Sequence, residues 1–295
     1  MNILTFDIEE WFHVLDNGST KSEKQWVNFE YRLEYNLERL LTILQKHNQK
    51  ATFFCLGWLT KNHRNIIEKI DNCGYEIATH SNMHQLVYEQ KIEIFDLDLE
   101  KSIKSLEDIT GKKIRAYRAP GFSLKDENRW VFDSLHKHGI EIDCSIFPAP
   151  RAHGGFENYL ADGPSIIKFN GNKQIKELPM SLMNVFSKKV VFSGGGYFRL
   201  FPYPMIKYLM NGSDYNMTYF HPHDFDRNRP IINGLSYFRK IKSRVGTATA
   251  LEKLEKLIQD FDFIDLNKAD KLIDWDSVEK ISLIERRKKQ RLYEK

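Results

Sequence analysis

Thr79-His80-Ser81-Asn82-Met83-His84 follows the apolar run Tyr75-Glu76-Ile77-Ala78, and Thr5-Phe6-Asp7-Ile8-Glu9-Glu10 follows the apolar run Asn2-Ile3-Leu4. Both read as short strands that end in ionisable residues. On an extended backbone side chains alternate with period two, so Asp7 and Glu9 share one face and can enter one pocket. Two imidazoles four residues apart can meet at one point if their segment turns. A carboxylate from another strand then completes a three-ligand metal site with a coordination position open to water, the arrangement of a catalytic rather than a structural centre. The H-x-x-x-H spacing is weak by itself, because chance produces it in many chains of this length.

The order of further pieces strengthens it. Ile114-Arg115-Ala116-Tyr117 leads into Arg118-Ala119-Pro120-Gly121, and Met217-Thr218-Tyr219-Phe220 leads into His221-Pro222-His223-Asp224. Between these come a helical stripe over Leu33 to His47, a buried strand over Lys50 to Leu56, a helix from Trp58 to Ile70 and another from about Ile94 to Ile109. A helix near Glu127 to His138 and a strand from Ile140 to Ser145 follow. Regular alternation of strand and helix favours a parallel sheet with right-handed crossovers, and in such barrels functional groups collect at the carboxyl ends of strands.

In this ordered set the chain resembles the polysaccharide deacetylase superfamily, carbohydrate esterase family four. The motifs are Thr5-Phe6-Asp7-Ile8-Glu9, His80-Ser81-Asn82-Met83-His84, Arg118-Ala119-Pro120-Gly121, Ile142-Asp143-Cys144-Ser145 and Tyr219-Phe220-His221. They cover about residues 1 to 225. Ser193-Gly194-Gly195-Gly196-Tyr197-Phe198-Arg199 and His221-Pro222-His223-Asp224-Phe225-Asp226 are similar to the branch that acts in bacterial surface-polysaccharide assembly. The sequence departs from the family in two places. An adjacent acidic pair is replaced by Asp7-Ile8-Glu9-Glu10, which leaves the ligand among these carboxylates open, and Gly121 stands where many relatives carry an aromatic residue.

The resemblance implies a distorted (β/α) barrel of about seven parallel strands. It implies metal-dependent removal of an N-acetyl or other N-acyl group from an amino sugar, with one divalent ion, zinc by expectation. It also implies His80, His84 and Glu9 as ligands, with Glu10 on the opposite face as second choice. Asp7 is then the general base, Arg118 the residue that fixes it, His221 the acid for the leaving nitrogen, and Asp143 a residue that positions a neighbouring base or acid. Pro120 and Gly121 are expected at the substrate, as are Gly195, Tyr197 and Arg199 if the glycine run lets backbone approach a sugar. A plain structural turn at Gly194-Gly195-Gly196 is the competing reading. His13 and His223 are taken as bystanders.

Length and composition fit one main catalytic domain over 1–234, including a hairpin-rich insertion over 147–199, and a C-terminal helical extension over 235–295. The extension reads as helix, short strand (Phe261 to Ile264) and final helix. The chain has 295 residues, 41% hydrophobic, with a formal net charge of +4 and acids and bases interspersed, so no nucleic-acid partner is expected. Three cysteines, Cys55, Cys73 and Cys144, show neither metal spacing nor a disulfide framework. No leader-like segment precedes the Asp7 strand and no run is long enough to span a membrane, which gives a cytoplasmic expectation. The basic run Arg286-Arg287-Lys288-Lys289-Gln290-Arg291 is either a solvated helix end or a peripheral contact with an anionic membrane. The expected partner is an N-acylated sugar that is nucleotide-linked, lipid-linked or part of an oligosaccharide. The competing functions are hydrolysis of a non-sugar amide or imide, and carbohydrate binding without catalysis.

Overall fold

The structure, a computed structural model, describes residues 1–283 except Asp16, Ala152, Glu157, Asn158, Asn172, Phe186 and Ser187. The basic run at 286–291 lies outside the described residues. Among those described, no helix is long and apolar enough to cross a membrane.

Eight strands form one sheet in the order Glu279–Ser282, Ser165–Phe169, Lys173–Glu177, Ile142–Asp143, Ala116–Tyr117, Glu76–Thr79, Thr52–Cys55, Thr5–Ile8. Every neighbouring pair is parallel except Ser165–Phe169 with Lys173–Glu177. Beyond the Thr5–Ile8 edge the chain continues laterally. Asn2–Ile3 pairs in parallel with Asn216–Met217, Phe6 bridges Phe220, and Tyr219 bridges Gly194. The run that ends at His221 therefore lies beside the run that carries Asp7 and Glu9, and both end on the same rim.

The period-two rule sorts the core. Phe6, Phe53 and Cys55 face outward under the helices, where Leu37, Leu40 and Leu44 of the Leu33–Lys46 helix cover them. Phe54, Ala78, Ala116, Ile142, Cys144 and Met217 face inward and form a second apolar cluster. Asp7 is in register with Phe54, so its carboxylate belongs to the inward set. On the far side the sheet curls back through side chains. The Tyr215 hydroxyl donates to the Pro179 carbonyl at 2.7 Å and the Met217 amide to Ser181 Oγ at 2.6 Å. In place of the expected barrel of about seven parallel strands, the described residues show a mainly parallel eight-stranded sheet with no unbroken backbone ladder closing it.

Three expectations need correction. The helix read over Trp58 to Ile70 breaks at His63 into Trp58–Asn62 and Arg64–Asn72. The insertion read as hairpin-rich is not hairpin alone, because Lys173–Glu177 joins the central sheet in parallel with Ile142–Asp143. Nor is the C-terminal part wholly helical beyond its short strand. Ile264 only bridges Ile3, the helix Leu266–Leu272 follows, and Glu279–Ser282 then extends the sheet alongside Ser165–Phe169. All three cysteines are free.

Candidate active site

The His80–His84 segment turns because two of its residues take backbone conformations that L side chains seldom adopt: Ser81 has φ 69° and His84 has φ 53°. Asp98, from the Ile92–Thr110 helix, holds the turn by accepting the backbone amides of Asn82 at 2.7 Å and Met83 at 3.0 Å. Strain of this kind persists only when surrounding contacts over-determine it, and it concentrates at functional sites.

One ligand atom from each of Glu9, His80 and His84 falls within 4.8 Å of the others, and all three residues are buried. His80 Nδ1 lies 2.8 Å from the Arg118 carbonyl, so that nitrogen carries the proton and Nε2 keeps a free lone pair. Burial pushes the His80 pKa down to about 4, leaving it neutral, as a ligand must be. Glu9 Oε2 is in ion-pair contact with His84 Nε2, yet has no aligned hydrogen bond. Burial alone would raise the Glu9 pKa. The charge of His84 in that contact, with His221 and His223, instead holds it below the usual carboxylate range. Two neutral-capable imidazoles and one ionised carboxylate, buried and converging, fit a divalent cation of the zinc type. Glu10 points elsewhere: its Oε1 accepts the amides of Arg32 and Leu33, both at 2.9 Å, and so holds the first turn of the Leu33–Lys46 helix.

Asp7 sits beside this cluster. Arg118 Nη1 donates to Asp7 Oδ1 and to Thr5 Oγ1, each at 2.7 Å, and the guanidinium is fully buried with its carbon 4.0 Å from the Phe54 ring centroid. His221 Nε2 lies 3.8 Å from Asp7 Oδ2 and 3.7 Å from Glu9 Oε1. Asp7, Glu9, His80, His84 and His221 line one cavity of about 210 Å³, walled by Trp11, Phe122 and Tyr219 and shared by Gly121, His13 and His223. His13 and His223, expected as bystanders, thus lie in the wall of this cavity. His223 stacks on His221 at 4.8 Å between ring centroids.

Gly121 lines the cavity at φ 63°, within the turn Pro120–Phe122, where Pro120 is buried. Leu15 Cδ1 stands 2.5 Å from the position of a Cβ on Gly121, so Leu15 fills the space beside it.

The other proposed substrate contacts lie elsewhere. Gly195–Leu200 is a helix, and Gly194 caps it at a point where a Cβ would meet the Tyr219 carbonyl at 2.0 Å. The glycine run lets a helix end seat on Tyr219; Gly195 likewise packs on the Tyr219 ring. Tyr197 is not among the cavity-lining residues and packs against Phe201 and Lys242. Arg199 is buried behind the site, bonded to the carbonyls of Ser243 at 3.1 Å and Val245 at 2.8 Å and paired with Asp224 at 3.1 Å.

Asp224 was missed by the sequence reading, which assigned a positioning role to Asp143. His221 Nδ1 lies 3.0 Å from Asp224 Oδ2, whereas Asp143 accepts a bond from Ser145 Oγ at 2.5 Å and is in register with Glu177. A histidine followed three residues later by an acid, just past a proline that starts a tight turn, was the available signal.

Comparisons with known proteins bear on the family and the fold. The polysaccharide deacetylase family model matches residues 17–141, and a second model, described as a domain of unknown function (DUF3473), matches residues 144–271. An uncharacterized protein of Bacillus subtilis, YlxY, is 33% identical over 99 residues, 34% of this chain and 31% of its own. The peptidoglycan deacetylase of Helicobacter pylori is 26% identical over 126 residues, 43% of this chain and 40% of its own. The chain thus spans well under half the length of these two curated relatives. A crystal structure of a candidate polysaccharide deacetylase from Mycobacterium smegmatis superposes with a TM-score of 0.61 at 18% identity, covering 91% of this chain and 88% of that one, which establishes a shared fold. The two matched regions contribute to one cavity: His80, His84 and Gly121 come from the first, and Tyr219 and His221 from the second.

Proposed function

We propose that this chain, residues 17–141 of which match the polysaccharide deacetylase family model, removes an N-acetyl or related N-acyl group from an amino sugar of a polysaccharide or its precursor, using one divalent ion, with zinc favoured by the donor set. The observation that carries the reading is the convergence of three differently prepared groups on one cavity: the Glu9–His80–His84 cluster, the Asp7–Arg118 pair and the His221–Asp224 pair.

Amide hydrolysis needs an activated carbonyl, a deprotonated water and a proton for the leaving amine. Bound by Glu9, His80 and His84, a divalent ion would polarise the carbonyl and acidify a water. Asp7 accepts the water proton at Oδ2, because Oδ1 is committed to Arg118. His221 supplies the other proton from Nε2. Burial would lower its pKa, but the hydrogen bond and charge of Asp224, with Glu9 and Asp7, bring it up to about 9, so the imidazole is protonated at neutral pH. Trp11, Phe122 and Tyr219 restrict bulk water around the reacting groups.

The test is acetate release from N-acetylated oligosaccharides and from nucleotide-linked N-acetyl sugars, with and without a chelator, for the wild type and Asp7→Asn. Chelator-sensitive release that the substitution abolishes is expected. Hydrolysis confined to linear amides or cyclic imides would replace the sugar reading, and sugar binding without acetate release would replace the enzyme reading.

A further inference from the structure

Among the described residues Arg229 is a buried cation with no anion paired to it. It is 8% exposed, lines the cavity, and among those residues makes one side-chain hydrogen bond, from Nη2 to the Trp11 carbonyl at 3.3 Å. Among the described residues no carboxylate lies within 4.0 Å of it. The acids whose charge reaches it are committed: Asp226 is bound by Arg32 at 2.6 Å and 3.0 Å, Asp224 by His221 and Arg199, and Glu9 by His84. Burial pulls the Arg229 pKa down to about 10, only partly countered by Asp224. A desolvated guanidinium is costly unless an anion meets it, and its fork of donors matches a carboxylate or phosphate.

Two further arginines line the same cavity. Arg239 is exposed, donates from Nη2 to the Leu15 carbonyl at 3.2 Å, and likewise has no carboxylate partner among the described residues. Arg151 lies over the rings of Phe147 and Phe122, 4.4 Å and 5.0 Å from their centroids, with Nη1 buried and lacking a hydrogen bond. The two acids among the lining residues, Asp7 and Glu9, are already engaged by Arg118 and His84. Among the described lining residues the cavity therefore carries three arginines against two acids that are already engaged.

Resting on the deacetylase reading of the site, we infer that the substrate bears a fixed oxyanion, a carboxylate or phosphate on the sugar unit or its carrier, which Arg229 and Arg239 hold beside the reacting amide. The two arginines act as a charged fork that sets which sugar presents its N-acyl group to Asp7 and His221. Neutral N-acetylglucosamine oligomers lack that handle.

The experiment compares kcat/KM of the metal-loaded protein for a neutral N-acetylglucosamine oligosaccharide, the same sugar bearing a carboxylate, and a nucleoside-diphosphate-linked N-acetyl sugar. At least one anionic substrate should exceed the neutral one by about tenfold or more, with the preference falling at high salt. The two anionic arms separate carboxylate from phosphate. Arg229→Gln and Arg239→Gln should each reduce the anionic-to-neutral ratio by about tenfold, and Arg229→Lys should restore part of it. Equal rates on all three substrates, or an unchanged ratio in both Gln variants, would overturn the inference; Arg239, being exposed, keeps the test valid if the Arg229 variants fold poorly. If no sugar is hydrolysed, the deacetylase reading fails separately. Direct binding of glucuronic acid and inorganic phosphate then decides: about tenfold weaker binding in the arginine variants supports the anion site, and equal affinity removes it.

Discussion

His221 Nδ1 lies 3.0 Å from Asp224 Oδ2, and the same oxygen accepts the His221 backbone amide at 3.0 Å, so one carboxylate fixes both the ring and the chain that carries it. Arg199 Nε makes an ion-pair contact with the other oxygen at 3.1 Å. This chain of Arg199, Asp224 and His221 runs from the end of a glycine-started helix to the wall of the catalytic cavity.

Asp224→Asn should lower kcat by about 10²- to 10⁴-fold, the usual range for general acid catalysis, without loss of metal. The pH profile separates this role from a merely structural one. Activity that needs protonated His221 falls above its pKa, which stands at about 9 with the carboxylate in place. Without that charge the basic limb of kcat should move down toward the free imidazole value of about 6.5. A basic limb that stays in place would exclude Asp224 as the residue that tunes His221.

Metal content divides the carboxylates. Elemental analysis should find about one divalent ion per chain in the wild type and in Asp7→Asn, and a strong reduction in His80→Ala, His84→Ala and Glu9→Gln, since an open three-ligand site does not survive loss of one ligand. Glu10→Gln should keep its metal, because Glu10 is bonded to the start of a helix. Metal retained in Glu9→Gln but lost in Asp7→Asn would exchange the two roles.

Most of this site was legible in the sequence because strand ends announce themselves. Asp7, Glu9, His80, Arg118 and His221 each follow a short apolar run, and parallel pairing places such ends on one rim. What was not legible depends on contacts made after chain reversal. Arg199 and Tyr197 look like ligand-binding residues beside a flexible glycine run, but Gly194 serves a close approach to Tyr219, and Arg199 turns inward to Asp224 and two backbone carbonyls. Asp143 carries a family motif position, yet its register opposite Glu177, a strand from the insertion, gives it a different partner. The strand Glu279–Ser282 was invisible because its exposed edge residues, Glu279, Lys280 and Ser282, have no strong alternating pattern.

Arg118 and Asp7 form a pair whose partners differ in what their loss leaves behind. Arg118→Met should destabilise the fold by about 3–5 kcal/mol, because it strands a buried carboxylate. Asp7→Asn combined with Arg118→Met should be less destabilising than the sum of the two single changes, since neither charge then remains unmatched. Strict additivity in denaturant titrations would mean that the 2.7 Å contact contributes no coupling.

Tyr197→Ala should leave KM within about twofold of the wild type, because the ring lies against Phe201 and Lys242 and not in the cavity. Gly194→Ala should do more damage, because Gly194 packs on the cavity wall at Tyr219. Its Cβ would meet the Tyr219 carbonyl at 2.0 Å, so the helix end or the Tyr219 wall must shift, lowering the thermal midpoint and the catalytic rate together. A Tyr197→Ala variant with strongly raised KM would restore the direct sugar contact.

Asp143 and Glu177 lie in register on adjacent parallel strands, both fully buried. Asp143 Oδ2 and Glu177 Oε2 have no hydrogen-bond donor, and a proton held between them supplies one. Burial pushes the Asp143 pKa up to about 6; burial together with the Asp143 charge pushes Glu177 well above its ordinary value. In the unfolded chain Glu177 titrates near 4.3, so above that pH the folded state binds a proton that the unfolded state has released. Stability contributed by this proton is complete below about pH 4.3 and is lost as pH rises through the raised folded pKa. Glu177→Gln replaces the proton with a permanent amide donor and removes that loss. At pH 8 the variant should therefore be more stable than the wild type by on the order of 1–3 kcal/mol, while near pH 4 the two should agree. Denaturation midpoints measured at both pH values check it, and an advantage of equal size at pH 4 and pH 8 would show that the shared proton is not its source.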